Sequence, residues 1–398
     1  MKLARSVQEI APSGIRRFFD VVAQMDDVIS LGVGEPDFGT AWRVREAAIY
    51  GLERGRTTYT ANHGLLELRQ AVAAHLHRRY QLDYDPADEI LVTVGVSEAL
   101  DLALRALLDP GDEVIVPQPC YVAYPPCVLL AGGVPITLAT TPESGFVPEA
   151  AAIERLITPR TRAILLNYPN NPTGAALSRQ ELLDLAEVVA RHDLVVVSDE
   201  IYDRLSYDRP HIPFASLPGM AEQTLLLNGF SKTYGMTGWR VGYAAGPAPL
   251  IAAMTKIHQY TALCAGRSAQ EAAIEALRVP DRDVQAMVDD YDGRRRLIVA
   301  GFNRLGLPCH LPAGAFYAFP SIAPTGLSSQ EFAERLLHEA RVAVVPGDAF
   351  GTGGAGHVRC AYATSIDQLE EALRRIERFL GTLPNRALSP DPVTARSA

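Results

Sequence analysis

A primary amine placed between a hydroxyl and a guanidinium is the clearest chemistry in this chain. Lys232 lies in the stretch Asn228-Gly-Phe-Ser-Lys-Thr-Tyr-Gly-Met-Thr-Gly-Trp-Arg240, directly after Ser231 and eight residues before Arg240. A lysine amine can hold a carbonyl carbon covalently, and the glycines around it let backbone approach a ligand closely. Ser231 and Arg240 offer a hydroxyl and a planar cationic fork for phosphate oxygens. The combination suits an aldehyde that carries a phosphate. A lone lysine in a loop would be read as a solvated side chain; these neighbours reverse that reading.

Two upstream segments supply further contacts. Asp193-Leu-Val-Val-Val-Ser-Asp-Glu-Ile-Tyr202 reads as a short buried strand with Asp199 and Tyr202 just past its end. A carboxylate there could pair with a pyridinium nitrogen, which together with a lysine Schiff base marks pyridoxal phosphate binding. Tyr202 could donate to the cofactor's phenolate oxygen. The competing reading makes Asp199 a helix N-cap after the strand. The second segment, Asn167-Tyr-Pro-Asn-Asn-Pro-Thr-Gly174, has the composition of a simple turn. It also follows an apolar strand, Ala163-Ile-Leu-Leu166, so Asn171 would lie beside the same crevice at the carboxyl ends of the strands. Its Asn-Pro bond is a candidate for the cis isomer.

The elements that must position these groups alternate. Short buried strands and helical patterns succeed one another from about Tyr50 to Val279, including Asp112-Glu-Val-Ile-Val-Pro and Thr224-Leu-Leu-Leu-Asn. That alternation predicts an α/β fold with a mainly parallel sheet covered by helices. The strand Ile90-Leu-Val-Thr-Val runs into Gly95 and then a helical pattern through Leu108. The N–H groups of Val96 and Ser97 would therefore open a helix and point at an anion. A long helix rich in Arg and Asp follows from Val284 to about Leu305, and a second βα region runs to Leu380.

With 398 residues and 48% hydrophobic content, the chain can bury a large core. A formal charge of −9 and a pI near 5.5 argue against nucleic acid or anionic membranes as partners. The five cysteines form no Cys-x-x-Cys pair, which points to free thiols in a reducing compartment. There is no signal-peptide h-region and no bilayer-spanning apolar run, so a cytoplasmic protein is expected. The nine histidines show no metal-ligand spacing, and no metal is assigned. No Gly-x-Gly-x-x-Gly follows a strand, and no internal repeat is visible.

The chain resembles the fold-type I, class I/II aminotransferases that depend on pyridoxal 5'-phosphate, from about Ser6 to about Leu380. The motifs in register are Leu31-Gly-Val-Gly-Glu-Pro-Asp-Phe38, Tyr59 in Thr-Thr-Tyr-Thr, Asn171-Pro-Thr-Gly, Asp199-Glu-Ile-Tyr, Ser231-Lys232 with Gly238-Trp-Arg240, and Gly356-His-Val-Arg359. The resemblance implies a large domain with a seven-stranded, mainly parallel sheet and a smaller α/β domain. The expected boundaries are 1–45 for an N-terminal arm and part of the small domain, 46–284 for the large cofactor-binding domain, and 285–382 for the small C-terminal domain. Residues 383–398 are expected to be a disordered tail.

The same resemblance assigns roles. Lys232 would carry the cofactor and then move the proton from the substrate Cα to cofactor C4'. Asp199 would keep the pyridine nitrogen protonated, while Asn171 and Tyr202 would bond the phenolate oxygen. Tyr121 would stack on the ring, and Val96, Ser97, Ser231 and Arg240 would hold the phosphate. Tyr59 would join that phosphate from a partner subunit, making a homodimer with shared active sites. Arg359 would clamp the substrate α-carboxylate, with Tyr121 and Asn171 beside it and the Gly34 backbone closing over the substrate.

The expected reaction moves the amino group of an L-amino acid, aromatic or aspartate, to a 2-oxo acid such as 2-oxoglutarate. Ser97 stands where many aspartate-preferring relatives have lysine, and Arg267 where relatives have a small polar residue. Arg267 either reaches the shared site or lies at the dimer surface. An N-acetyl-diaminopimelate aminotransferase or a pyridoxal phosphate β-lyase would use the same cofactor residues. An aminotransferase-like regulatory domain would carry a helix-turn-helix ahead of the arm, and this sequence starts with the arm.

Overall fold

The computed structural model describes residues 3–10 and 25–383; of the tail expected to be disordered at 383–398, Leu383 is buried in the core, and 384–398 lie outside the described residues. The first strand, β1 (Ile29–Ser30), leads into a central sheet formed by the next seven. These are β2 (Ile90–Thr93), β3 (Glu113–Gln118), β4 (Val134–Ala139), β5 (Thr161–Leu166), β6 (Val195–Asp199), β7 (Thr224–Gly229) and β8 (Gly242–Ala245). Their order is β2-β8-β7-β6-β5-β3-β4, and only β8 runs against its neighbours. The sheet is the mainly parallel seven-stranded one expected from the alternation. Strands such as Ile90–Thr93 and Thr224–Gly229 are buried at every residue, as continuous apolar runs covered by helices on both faces must be. At the sheet edge, β4 is partly exposed along its length.

Because β8 is antiparallel to both β2 and β7, its beginning meets their ends. Gly242 pairs with Thr93 on one side and Gly229 on the other. Three connections therefore share one edge of the sheet: the entry to the helix Gly95–Leu107, the loop after β7 that carries Ser231 and Lys232, and the Arg240 turn into β8. The carboxyl ends of β5 and β6, with Asn167 and Asp199, lie on the same edge.

The C-terminal part has its own α/β organisation. β9 (Tyr317–Ala318), β11 (Val345–Pro346) and β12 (Val358–Ala361) form an antiparallel sheet in the order β11-β12-β9, while β1 pairs in parallel with β10 (Val342–Ala343). Helices Ser329–Ala340 and Ile366–Gly381 cover this sheet. The former starts at a capping box in which Ser328 and Glu331 satisfy each other's backbone N–H groups. One continuous core, including Leu31, Tyr202, Phe316, Phe332 and Tyr362, joins this part to the edge of the central sheet. The long helix spans Asp281–Arg304, starting three residues before the expected Val284. Its Arg-rich stretch is more buried than such a composition suggests. Arg295 is fully buried between Asp208, at 2.8 Å, and Asp292, with its guanidinium over the Tyr207 ring.

Candidate active site

A cavity of about 580 Å³ opens on the shared edge of the central sheet. Gly34, Val96, Ser97, Tyr121, Asn171, Asp199, Tyr202, Ser231, Lys232, Arg240 and Arg359 all line it. These residues come from both parts of the fold. Tyr59 is the one expected site residue outside the cavity; it stands 79% exposed on the surface of its own chain.

Lys232 reaches the cavity floor, where Nζ donates to the Gly34 carbonyl at 2.7 Å. Burial lowers its pKa to about 8, with Glu35 opposing the shift and the nearby Arg359 and Arg240 adding to it. A tenth or so of the amine is then neutral at pH 7, against almost none for an ordinary lysine. Across the floor, the Asp199 carboxylate is buried. Its Oδ2 accepts from Tyr124 Oη at 2.8 Å and its Oδ1 from the Ile201 N–H at 3.2 Å. Burial raises the Asp199 pKa to about 6, although these two hydrogen bonds pull the other way. Among the described residues no lysine, arginine or histidine forms an ion pair with it. The strand β6 ends in a turn, so the N-cap alternative for Asp199 does not hold.

At one end of the cavity the helix Gly95–Leu107 begins at Val94, whose side chain makes no capping hydrogen bond. Its opening N–H groups therefore have no partner from the cap side chain. Gly95 has φ +74°, and a Cβ there would meet the Arg240 guanidinium at 2.6 Å. Gly242 carries no side chain because the Val96 nitrogen would lie 2.8 Å from its Cβ. Glycine at these two points lets the guanidinium and the helix end converge on one spot. Arg240 itself adopts φ +52° and donates to the Thr237 carbonyl at 2.9 Å.

The other end is formed by Arg359 of β12. It is buried, with Nη1 donating to Asn171 Oδ1 at 2.9 Å and Nη2 to the Gly32 carbonyl at 2.6 Å. Its guanidinium lies over the Tyr317 ring, 4.6 Å from the centroid, and its Nε finds no partner among the described residues. The Asn171-Pro172 bond is cis, as are Gln118-Pro119 and Tyr168-Pro169. Accepting from Arg359 through Oδ1 leaves the Asn171 amide nitrogen free to donate into the cavity.

Three contributors were not singled out from sequence. Tyr124 bonds Asp199. Asn167 ties the two strand ends together, donating to the Asp199 carbonyl at 3.0 Å and accepting from the Asn171 N–H at 3.0 Å. Tyr317 shares a 2.8 Å hydrogen bond with Tyr202 through the two hydroxyls. A Cβ on Gly34 would fall 2.5 Å from that same Tyr317 hydroxyl, so only glycine fits there. Tyr124 and Asn167 stood inside segments already marked as informative; Tyr317 lay in Gly314-Ala-Phe-Tyr-Ala-Phe319, a stretch with no polar spacing to flag it. Arg267 does not line its own chain's cavity; it pairs with Glu271 at 3.1 Å and donates to Thr58 Oγ1 at 3.1 Å, next to Tyr59.

A fold-type I architecture with a lysine amine, a buried carboxylate and two anion-binding ends around one cavity defines a class of pyridoxal-phosphate enzymes. The model of the aminotransferase class I and II family matches residues 26–376, and the chain belongs to that family. It is 54% identical over 95% of its length to Bacillus subtilis YugH, whose name says aminotransferase without a substrate, and covers 98% of that protein. It is 45% identical over 96% of its length to the aspartate aminotransferase of Pyrococcus abyssi, covering 98% of it. The solved aromatic aminotransferase of Pyrococcus horikoshii superposes with a TM-score of 0.88 at 46% identity, over 92% of this chain and 98% of the other. The protein is an aminotransferase that acts on amino acids and 2-oxo acids and uses pyridoxal 5'-phosphate. The cavity fits that group. An uncapped helix start beside a guanidinium suits a phosphate, a buried carboxylate without an ion pair suits a ring N–H, and an amine whose pKa is lowered to about 8 suits an aldehyde.

Proposed function

We propose that the cavity at the sheet edge is the transamination site and that its residues divide the work as follows. The observation that carries the reading is the gathering of Lys232, Asp199, Arg359 and the Gly95 helix start with Arg240 around one cavity. Bound pyridoxal phosphate supplies an electron-withdrawing ring that takes up the electron pair left when the donor's Cα–H bond breaks. Val96 and Ser97 N–H groups, Ser231 and Arg240 hold its phosphate, and Lys232 holds its aldehyde carbon. Asp199 keeps the ring nitrogen protonated, an interaction that strengthens as charge develops, with Tyr124 fixing the carboxylate. Tyr121 packs on the ring face, and Asn171 and Tyr202 donate to the phenolate oxygen. Arg359 takes the donor's α-carboxylate and so aligns the Cα–H bond. Lys232 Nζ would hold the aldehyde carbon and, when free, would take the proton from the donor's Cα.

The preferred donor is an aromatic L-amino acid, with aspartate as the second choice. Lys232, Arg240 and Arg359 are the lysine and arginine residues lining the cavity, and each already has a task. Ser97 brings no charge, Glu35 stands at the rim, and Tyr121, Tyr317, Val122 and Ile201 supply aromatic and apolar wall. A distal carboxylate would need a cation from elsewhere. The names of the Pyrococcus relatives, one aspartate and one aromatic, support both choices.

The working unit is a homodimer, and the chain divides at about 45 and 284 into an arm, a large domain and a small domain. Tyr59 and Tyr260 are 79% and 85% exposed, and Asn62 joins their segments by donating to the Leu263 carbonyl at 2.8 Å. A partner docked on this surface would take Tyr59 toward its own phosphate end. The five free cysteines suit the cytoplasm, and no helix among the described residues is long and apolar enough to cross a membrane.

The test is the visible absorption of the purified protein while L-tyrosine, L-aspartate and N-acetyl-diaminopimelate are added in turn, with Lys232→Ala as control. The reading expects conversion of the cofactor band by L-tyrosine first, its recovery with 2-oxoglutarate, and no lysine-dependent band in the control. Pyruvate and ammonia as products would instead indicate a β-lyase. Mixing Lys232→Ala and Tyr59→Ala subunits tests sharing: hybrid dimers regain activity only if Tyr59 serves the partner's site.

A further inference from the structure

Glu98 stands in the first turn of the helix Gly95–Leu107, beside the proposed phosphate site. Its side chain is turned away from the opening N–H groups. Oε2 accepts from the Val94 N–H at 2.5 Å, and Oε1 lies 2.8 Å from His258 Nδ1. His258 comes from the helix Ala248–Thr261 and is fully buried; its Nε2 has no partner among the described residues. An ionised carboxylate only accepts, so Nδ1 must carry the proton. The neutral ring then leaves a bare Nε2, whereas the charged ring would bury a second N–H with nothing to receive it. Every polar contact that His258 makes through its ring thus goes to Glu98.

This arrangement controls which donors remain open. A glutamate in the first turn commonly reaches back to the backbone N–H of the residue just before the helix. Glu98 does this at Val94, and the buried imidazole holds its other oxygen, so both carboxylate oxygens are engaged before a phosphate arrives. The N–H groups of Val96 and Ser97 stay available at the cavity. The backbone around them leaves little play, since Gly242 lies against the Val96 nitrogen and Gly95 against Arg240.

We propose that Glu98, held by His258, is a positioning residue for the cofactor phosphate: it fixes the start of the Gly95 helix and keeps its own carboxylate off the anion site. The proposal rests on the assignment of this helix start to the phosphate. It predicts an effect confined to ligands that carry the phosphate. Pyridoxal, which lacks the phosphate, serves as the comparison.

The experiment measures equilibrium binding of pyridoxal phosphate and of pyridoxal to the full chain stripped of cofactor, together with the ³¹P resonance of the loaded protein. Glu98→Ala should weaken pyridoxal phosphate by about tenfold, the scale of a lost helix-start contact, and leave pyridoxal within about twofold. Glu98→Gln keeps an oxygen for the Val94 N–H and should recover most of the affinity. His258→Phe should give a smaller loss with the same selectivity and a shifted ³¹P resonance. Equal weakening of both ligands in Glu98→Ala and His258→Phe would show a merely structural role, and unchanged pyridoxal phosphate binding would also overturn the proposal. If Glu98→Ala does not fold, the ratio of the two affinities in His258→Phe decides. A wild type that binds neither ligand would instead refute the assignment of the cavity to the cofactor.

Discussion

The two ends of the cavity are built on opposite plans. At the Gly95 end the Val96 and Ser97 backbone donors have no side-chain partner among the described residues, glycines clear the space between them and Arg240, and Arg240 is bonded only within its own turn, to the Thr237 carbonyl. At the Arg359 end, donors are already engaged, with Arg359 bonded to Asn171 and the Gly32 carbonyl. The first plan suits a resident anion, because the backbone N–H groups need not be freed from another partner and the backbone needs no rearrangement. The second suits an anion that comes and goes, because the protein's own acceptors take its place when it leaves. A cofactor phosphate and a substrate carboxylate make those two demands.

The sharpest way to break the comparison is to remove the group that serves both ends. Lys232→Ala should lower turnover by at least about 10³-fold, the scale of a lost general base, while pyridoxal phosphate still binds through its phosphate. Loss of all cofactor affinity, read by equilibrium dialysis, would mean that the Gly95 end does not hold an anion by itself. Arg359→Leu comes next, with kcat/KM for the amino donor expected to fall by about 10²-fold as charged hydrogen bonds are lost. Cofactor affinity should stay within about threefold, because Arg359 serves the other end. Arg240→Gln should do the reverse, weakening pyridoxal phosphate by about tenfold and leaving pyridoxal unchanged.

The smallest effect concerns the amine. With its pKa lowered to about 8, Lys232 becomes a better nucleophile as the ammonium loses its proton. Capture of added cofactor by the stripped protein should therefore quicken as pH rises toward 8 and level off above it. A stopped-flow rate that keeps climbing beyond pH 9 would show an amine that burial has not shifted.

The open end was legible in the sequence and the engaged end only in outline. Val96, Ser97, Ser231 and Arg240 follow from local rules, since a strand running into glycine and a helix places N–H groups without reference to distant residues. Sheet register then does the rest, bringing Gly242 beside Thr93 and Gly229. The same local logic marked Asp199 and Asn171 at the ends of β6 and β5. The supporting contacts were not readable because they depend on side-chain direction across long separations: Tyr124 meets Asp199 from 75 residues away and Tyr317 meets Tyr202 from 115. Arg359 was named through the family motif, yet its bond to the Gly32 carbonyl, 327 residues distant, could come only from the folded chain. Burial of Arg295 was missed for a similar reason, as its partner Asp208 lies outside the helix that carries it.

Hydrogen–deuterium exchange at residues 32–37 and 95–98 tests the two-plan account most directly, comparing stripped protein, loaded protein and loaded protein with an unreactive α-methyl amino acid. The account predicts that the cofactor protects 95–98 and changes 32–37 less, through the loss of the Lys232 bond to the Gly34 carbonyl. The substrate analogue should then alter exchange at 32–37, as its carboxylate displaces the Gly32 carbonyl from Arg359. A cofactor that leaves 95–98 unprotected, or an analogue that leaves 32–37 untouched, would contradict it.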